Sequence, residues 1–152
     1  HGIPFHYVPI PKDDKAAAFE QIDSIIARHD ADTIVLARFM QIMPPQLCDK
    51  YANRLINIHH SFLPSFIGAN PYQKAYDRGV KLIGATCHYV TEDLDEGPII
   101  EQDVIRVSHS CDKDDMVRLG RDVERSALSR GLRFHLEDRV IVRGNKTVVF
   151  NP

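Results

Sequence analysis

Asn57 and His59 stand two residues apart at the end of an apolar run, Leu55-Ile56-Asn57-Ile58-His59. The branched residues suit a half-buried strand, and a two-residue period puts Asn57 and His59 on one side of it and His60 on the other. Pro64 and Gly68 then end the strand in a loop. An amide and an imidazole thus meet where a strand runs out, the usual place for ligands in an open α/β sheet. The amide N–H can stabilise a developing oxyanion, and the imidazole can move a proton near neutral pH. A third group can join them. Thr91 to Pro98 is an acidic turn bent by Gly97 and Pro98, which holds Asp95 on a constrained loop. An Asp beside a His orients the ring and stabilises its protonated form. Taken singly, an Asp in a turn and a His at a strand end are more often structural than chemical.

Other chemistries fit the chain less well. His59, His60, Cys87 and His88 are metal-ligand types, but adjacent strand residues face opposite ways, so neither pair converges on one ion, and no metal site is expected. No G-x-G-x-x-G and no Walker A motif occurs, so a phosphate-cradling loop is not expected. Phe39, Met40 and Met43 could line a slot for a flat ligand, although bare residues of these types are more often core.

The elements that must position these groups read as an alternation. Residues 3–9 read as a short strand flanked by turns. Asp13 or Asp14 caps a helix from Lys15 to about His29, with Phe19, Ile22 and Ile26 at helical spacing. Thr33 to Ala37 is a continuously apolar strand of the kind covered on both faces in a parallel sheet. A loop over Phe39 to Met43 follows, then a short helix from Pro44-Pro45 to Tyr51. Beyond the Asn57/His59 strand come a helix over Pro71 to Arg78 closed by Gly79, a strand from Leu82 to Val90, and a second from Ile99 to Val107. Asp112 to Asp115 open a long helix whose stripe is Met116, Leu119, Val123 and Ala127, continued by Leu128 and Leu132. Arg139 to Arg143 and Lys146 to Phe150 form a hairpin about Gly144-Asn145. The pattern predicts an α/β fold with a largely parallel, Rossmann-like sheet, helices on both faces and an antiparallel or hairpin addition late in the chain.

The totals narrow the function further. With 152 residues the chain suits one domain with a real core. Its net charge of −2 gives no footprint for nucleic acid. No apolar run approaches the roughly 18 residues of a membrane helix. The three widely spaced cysteines, Cys48, Cys87 and Cys111, read as reduced packing residues, and so as a cytoplasmic setting.

The run Asn57-Ile58-His59-His60-Ser61-Phe62-Leu63-Pro64 resembles the N-x-H-x-S-x-L-P signature of the superfamily of formyltransferases and hydrolases that use formyltetrahydrofolate. Leu94-Asp95-Glu96-Gly97-Pro98 resembles its second signature, an Asp before a small residue and a Gly, and the separation fits. The likeness covers essentially the whole chain and points to the formyltransferase type of Rossmann-like sheet. It is strongest for the hydrolase, or deformylase, branch. His60 stands where the glycinamide ribonucleotide formyltransferases usually have Pro, and Gly84 to Glu92 and the Gly144-Asn145 hairpin are also hydrolase-like.

By that resemblance Asn57, His59 and Asp95 are the expected catalytic trio acting on 10-formyltetrahydrofolate. Phe39, Met40, Gln41, Ile42, Met43, Thr91, Glu92 and Asp93 are expected to form the pterin slot, largely through backbone groups. The expected products are formate and tetrahydrofolate, in one-carbon metabolism linked to purine biosynthesis. The folate is the substrate, and no cofactor is expected. Physical chemistry agrees: formamide hydrolysis passes through a tetrahedral oxyanion, for which Asn57 and protonated His59 are donors. Asp95 and His59 between them can take a proton from water and give one to the departing nitrogen, the order being left open. A transferase handing the formyl group to an amine would share the trio, and a non-catalytic folate-binding module is a further alternative. The polar His60 suggests surroundings built to hold water. The resemblance also implies a homo-oligomer, and a hydrolase domain that here lacks its first strand and helix and a preceding regulatory domain of the ACT type, so that an apolar flank of the sheet is expected to lie open.

Overall fold

The alternation of helical and extended periods is realised in a computed structural model that describes residues 2–150. They fall into two units, one up to Asp32 and one from Thr33 onward.

The first unit holds helix α1 (Lys15–Arg28), capped by the Asp14 carboxylate, which accepts from the Ala17 N–H. Residues 3–9, expected as a strand, form none: Pro4 and Pro9 bring no N–H to a ladder, and no partner strand pairs with them among the described residues. Ile3, Phe5 and Tyr7 there are largely exposed.

In the second unit β1 (Ile34–Ala37), β2 (Leu55–His59), β3 (Leu82–Tyr89) and β4 (Ile99–Arg106) form one sheet in the order β1-β2-β3-β4. Helix α2 (Pro45–Lys50) links β1 to β2, and α3 (Pro71–Arg78) lies between β2 and β3. The α/β class holds, with a parallel pairing of β1 and β2. The antiparallel addition, however, begins earlier than expected: β3 runs against β2, and β4 against β3. The Thr91–Pro98 connection is too short for a crossover, so β4 can only return antiparallel. β1 also differs from a strand covered on both faces, since its residues alternate between half-buried and exposed and Val35 is 37% accessible.

Helix α4 (Lys113–Leu136) starts at Asp112 in a capping box with Asp115. It covers one face of the sheet, where Ile56, Ile58, Ala85, Cys87 and Tyr89 meet Val123 and Ala127. Burying side chains such as Met116 and Val123 contributes about 1.5–3 kcal/mol each. The stripe also contains Gly120 and Gly131, which the apolar period alone does not reveal. A Cβ on Gly131 would lie 2.5 Å from the Cys87 sulfur, so the helix can approach β3 only with glycine there. Burial pushes the Cys87 thiol up to about 12, consistent with a packing role.

The C-terminal hairpin is β5 (Val140–Arg143) and β6 (Lys146–Val149). Gly144, at φ 60°, occupies the first central position of its two-residue turn, as a primed turn requires. The Thr147 hydroxyl donates to the Ile99 carbonyl and ties the hairpin to β4.

Candidate active site

The face of the sheet turned away from the α4 core carries the chemistry. Asn57 pairs across the ladder with His88, and His59 with Thr86, so β2 and β3 present four polar side chains to one side. The loop after β2 is pinned over that face by Thr86. Its hydroxyl donates to the Ser61 carbonyl at 2.8 Å and accepts from the Leu63 N–H and the Gln102 amide, both at 3.0 Å. One donor and two acceptor sites are thereby all used, as a fully buried hydroxyl requires.

Asp95 reaches the same place from the β3–β4 turn. Its backbone is left-handed, at φ 57°, a conformation Asp tolerates better than most residues. One carboxylate oxygen lies 3.4 Å from His59 Nδ1 and 3.9 Å from His88 Nε2. The other accepts from the Gly68 N–H at 3.2 Å, which joins the two motif loops. The second ring nitrogen of His59, Nε2, faces the Phe66 carbonyl at 3.4 Å. Asn57, His59 and Asp95 therefore converge, and they border a cavity of about 250 Å3 together with Phe39, Met40 and Ile42.

The residues expected to form the pterin slot fall beside this cavity. Phe39, Gln41, Ile42, Met43, Thr91, Glu92 and Asp93 line a narrow cleft that also touches Asn57, His88 and Asp95. Met40 borders the larger cavity instead and is 58% exposed, whereas Met43 is buried.

His88, which the sequence offers only as an unpromising metal ligand, sits at the centre. Its Nδ1 lies 2.8 Å from the Tyr89 carbonyl and must donate to it. In the neutral ring Nε2 is then an acceptor, and it receives the Asn57 amide N–H at 3.2 Å. His88 thus fixes which way the Asn57 amide points, and both its nitrogens are committed. Among the described residues no group of three or more His, Cys, Asp or Glu side chains is arranged to hold a metal ion. No helix among them is long and apolar enough to cross a membrane.

Burial holds the His88 imidazole below its ordinary value, against the Tyr89 carbonyl and Asp95, which favour the proton, while His59 adds to the lowering. A depressed folded-state value means that this group's stability contribution is whole above the ordinary imidazole pKa and is lost as pH falls from there toward the folded value. Protonation also removes the lone pair that receives Asn57. Thermal stability is therefore expected to fall as pH drops below about 6.5, and His88→Gln should flatten that dependence. A wild-type melting profile that is flat from neutrality into the acid range would refute this account.

Comparisons with known proteins bear on the family and the fold. A family model described as formyl transferase matches residues 1–132. The chain is 58% identical over 150 residues to a protein of Bacillus subtilis named formyltetrahydrofolate deformylase, covering 99% of this chain and 50% of that one. A crystal structure of a formyltetrahydrofolate deformylase from Pseudomonas syringae pv. tomato superposes with a TM-score of 0.95 at 64% identity, covering 98% of this chain and 50% of that one. A phosphoribosylglycinamide formyltransferase from Anaplasma phagocytophilum superposes with a TM-score of 0.84 at 32% identity, covering 88% and 66%. The chain thus spans about half the length of the deformylases it matches. With its sheet, its paired motif loops and a match over nearly its whole length, the chain belongs to the formyl transferase family.

Proposed function

We propose that this chain carries the active site for hydrolysis of 10-formyltetrahydrofolate to formate and tetrahydrofolate. The observation that supports it most is the convergence of Asn57, His59 and Asp95 on one cavity beside the 39–43 loop. The identity to proteins named formyltetrahydrofolate deformylase supports this choice of substrate.

In this reading the pterin enters the cleft between the 39–43 loop and residues 91–93, and the formyl group points at Asn57 and His59. The free N–H of the Asn57 amide, whose partner N–H is held by His88, donates to the carbonyl oxygen as it becomes an oxyanion. Asp95 and His59 handle the protons: one leaves the attacking water and one reaches the departing folate nitrogen. The C–N bond breaks, and the formyl carbon leaves as formate. The chain's own groups suffice for each step, with no cofactor.

The test uses the full-length protein, 10-formyltetrahydrofolate and no amine acceptor. Stoichiometric release of formate and tetrahydrofolate is expected. Negligible release, with formyl transfer appearing once glycinamide ribonucleotide is added, would replace the hydrolase with a transferase. Binding without turnover in either case would reduce the site to a folate-binding module.

A further inference from the structure

We infer that His60 is a positioning residue for His59, through a stacked column of rings, His59–His60–Tyr72, anchored on α4. The inference rests on the hydrolase reading above. The ring centroids of His59 and His60 are 5.4 Å apart with planes 23° from parallel, and those of His60 and Tyr72 are 5.7 Å apart at 21°. These are offset-stacked geometries. Tyr72 is itself held at its far end, where its hydroxyl donates to the Glu124 carboxylate. The helix makes room for it only because residue 120 is glycine: a Cβ there would lie 1.8 Å from the Tyr72 hydroxyl oxygen.

His60 meets both neighbours through the flat face of its ring. Its nitrogens make no hydrogen bond among the described residues, whereas the hydroxyls and imidazoles around it are bonded. Burial favours its uncharged form, opposed by Glu124 and Asp95 and reinforced by His59 and Arg38. A neutral face against His59 avoids like-charge repulsion when His59 carries its proton.

The position of His60 makes it indispensable to that packing. It borders the cavity shared by Asn57, His59 and Asp95 on one side. On the other it borders an apolar cavity of about 400 Å3 walled by Phe62, Phe66, Leu82 and Val104. Removing its ring takes away a wall that both spaces share and the stacked contact on the His59 ring. Asp95 and the Phe66 carbonyl hold the edge of the His59 ring, but each at 3.4 Å, so the face contact is what restrains its tilt.

The experiment compares His60→Ala, His60→Phe and His60→Asn in the full-length protein, by formate release and by the NMR shift of the His59 ring protons. In His60→Ala kcat is expected to fall about tenfold or more through misplacement of His59, with KM nearly unchanged, and the His59 ring-proton shifts should lose their stacking contribution. His60→Phe should restore both, and His60→Asn neither. Rescue by Asn and not by Phe would overturn the column in favour of a water-holding polar role. Wild-type kcat and His59 shifts in His60→Ala would also overturn it. If His60→Ala does not fold, the Phe and Asn variants alone decide the matter. A parent protein that releases no formate defeats the hydrolase reading, and the column then stands or falls on the His59 shifts.

Discussion

Asp95→Asn in the full-length protein is expected to lower the rate of formate release at least about a hundredfold, with folate binding changed far less. The substitution isolates charge from shape. Asp95 sits at φ 57°, and Asn is among the few residues that accept a left-handed backbone as readily. The turn should therefore keep its course. The hydrogen-bonding logic does not survive, because both Asp95 oxygens sit where a donor is needed opposite them: one faces His59 Nδ1, and the other receives the Gly68 N–H. A carboxamide must turn its NH2 toward one of these sides. Toward Gly68 it opposes donor to donor. Toward His59 it removes the negative charge beside Nδ1, and an amide cannot take a proton from water. The walls that the 39–43 loop and residues 91–93 give the cleft are unchanged, and only its Asp95 edge is altered, so loss should fall mainly on kcat. Steady-state kinetics with a direct binding titration checks this, and near-normal turnover in Asp95→Asn would remove Asp95 from the chemistry.

Much of this site was legible in the sequence because it depends on period and on local turns. Asn57 and His59 share a face simply because they are two apart on β2, and their apolar neighbours Leu55, Ile56 and Ile58 announce that strand. The acidic Asp112 to Asp115 run and the Gly144-Asn145 turn likewise announce α4 and the hairpin. What stayed hidden depends on register between strands. His88 orients Asn57 only because β3 lies antiparallel to β2 with those two residues opposite each other, and no local pattern states that pairing. Thr86 and Gln102 pin the 61–65 loop for the same reason. A weak signal existed: Thr86 and His88 are polar residues two apart in an apolar strand, as Asn57 and His59 are. Strand direction was hidden too. The helical segment α3 between β2 and β3 resembles a crossover in sequence, yet it packs against α4 while the chain returns antiparallel. The reading of residues 3–9 as a strand failed because extended propensity is not a partner: without a ladder to join, such a segment forms no strand.

Gly97→Ala is expected to be the most damaging single methyl group that the site can receive. A Cβ on Gly97 would lie 1.8 Å from the Tyr89 carbonyl oxygen and 2.9 Å from the Tyr89 carbonyl carbon. Both are backbone atoms, so no side-chain rotation relieves the overlap. The chain crosses this closely because the turn folds back over the end of β3, where the Tyr89 N–H donates to the Pro98 carbonyl at 2.9 Å. The same Tyr89 carbonyl receives His88 Nδ1, so a displaced turn disturbs the ring that orients Asn57. It also moves Asp95, two residues upstream. The expected cost is about 3 kcal/mol, at the upper end for overpacking. Turnover should fall about a hundredfold from displacement of Asp95 by an ångström or so. Gly144→Ala is the matched control. It has open space around its Cβ and only its φ of 60° to strain, so it should cost about 1 kcal/mol and leave turnover alone. Chemical denaturation and formate release on both variants decide the point: Gly97→Ala with the stability and rate of the parent would mean that the turn is not held against Tyr89, and that Asp95 owes its position to something else.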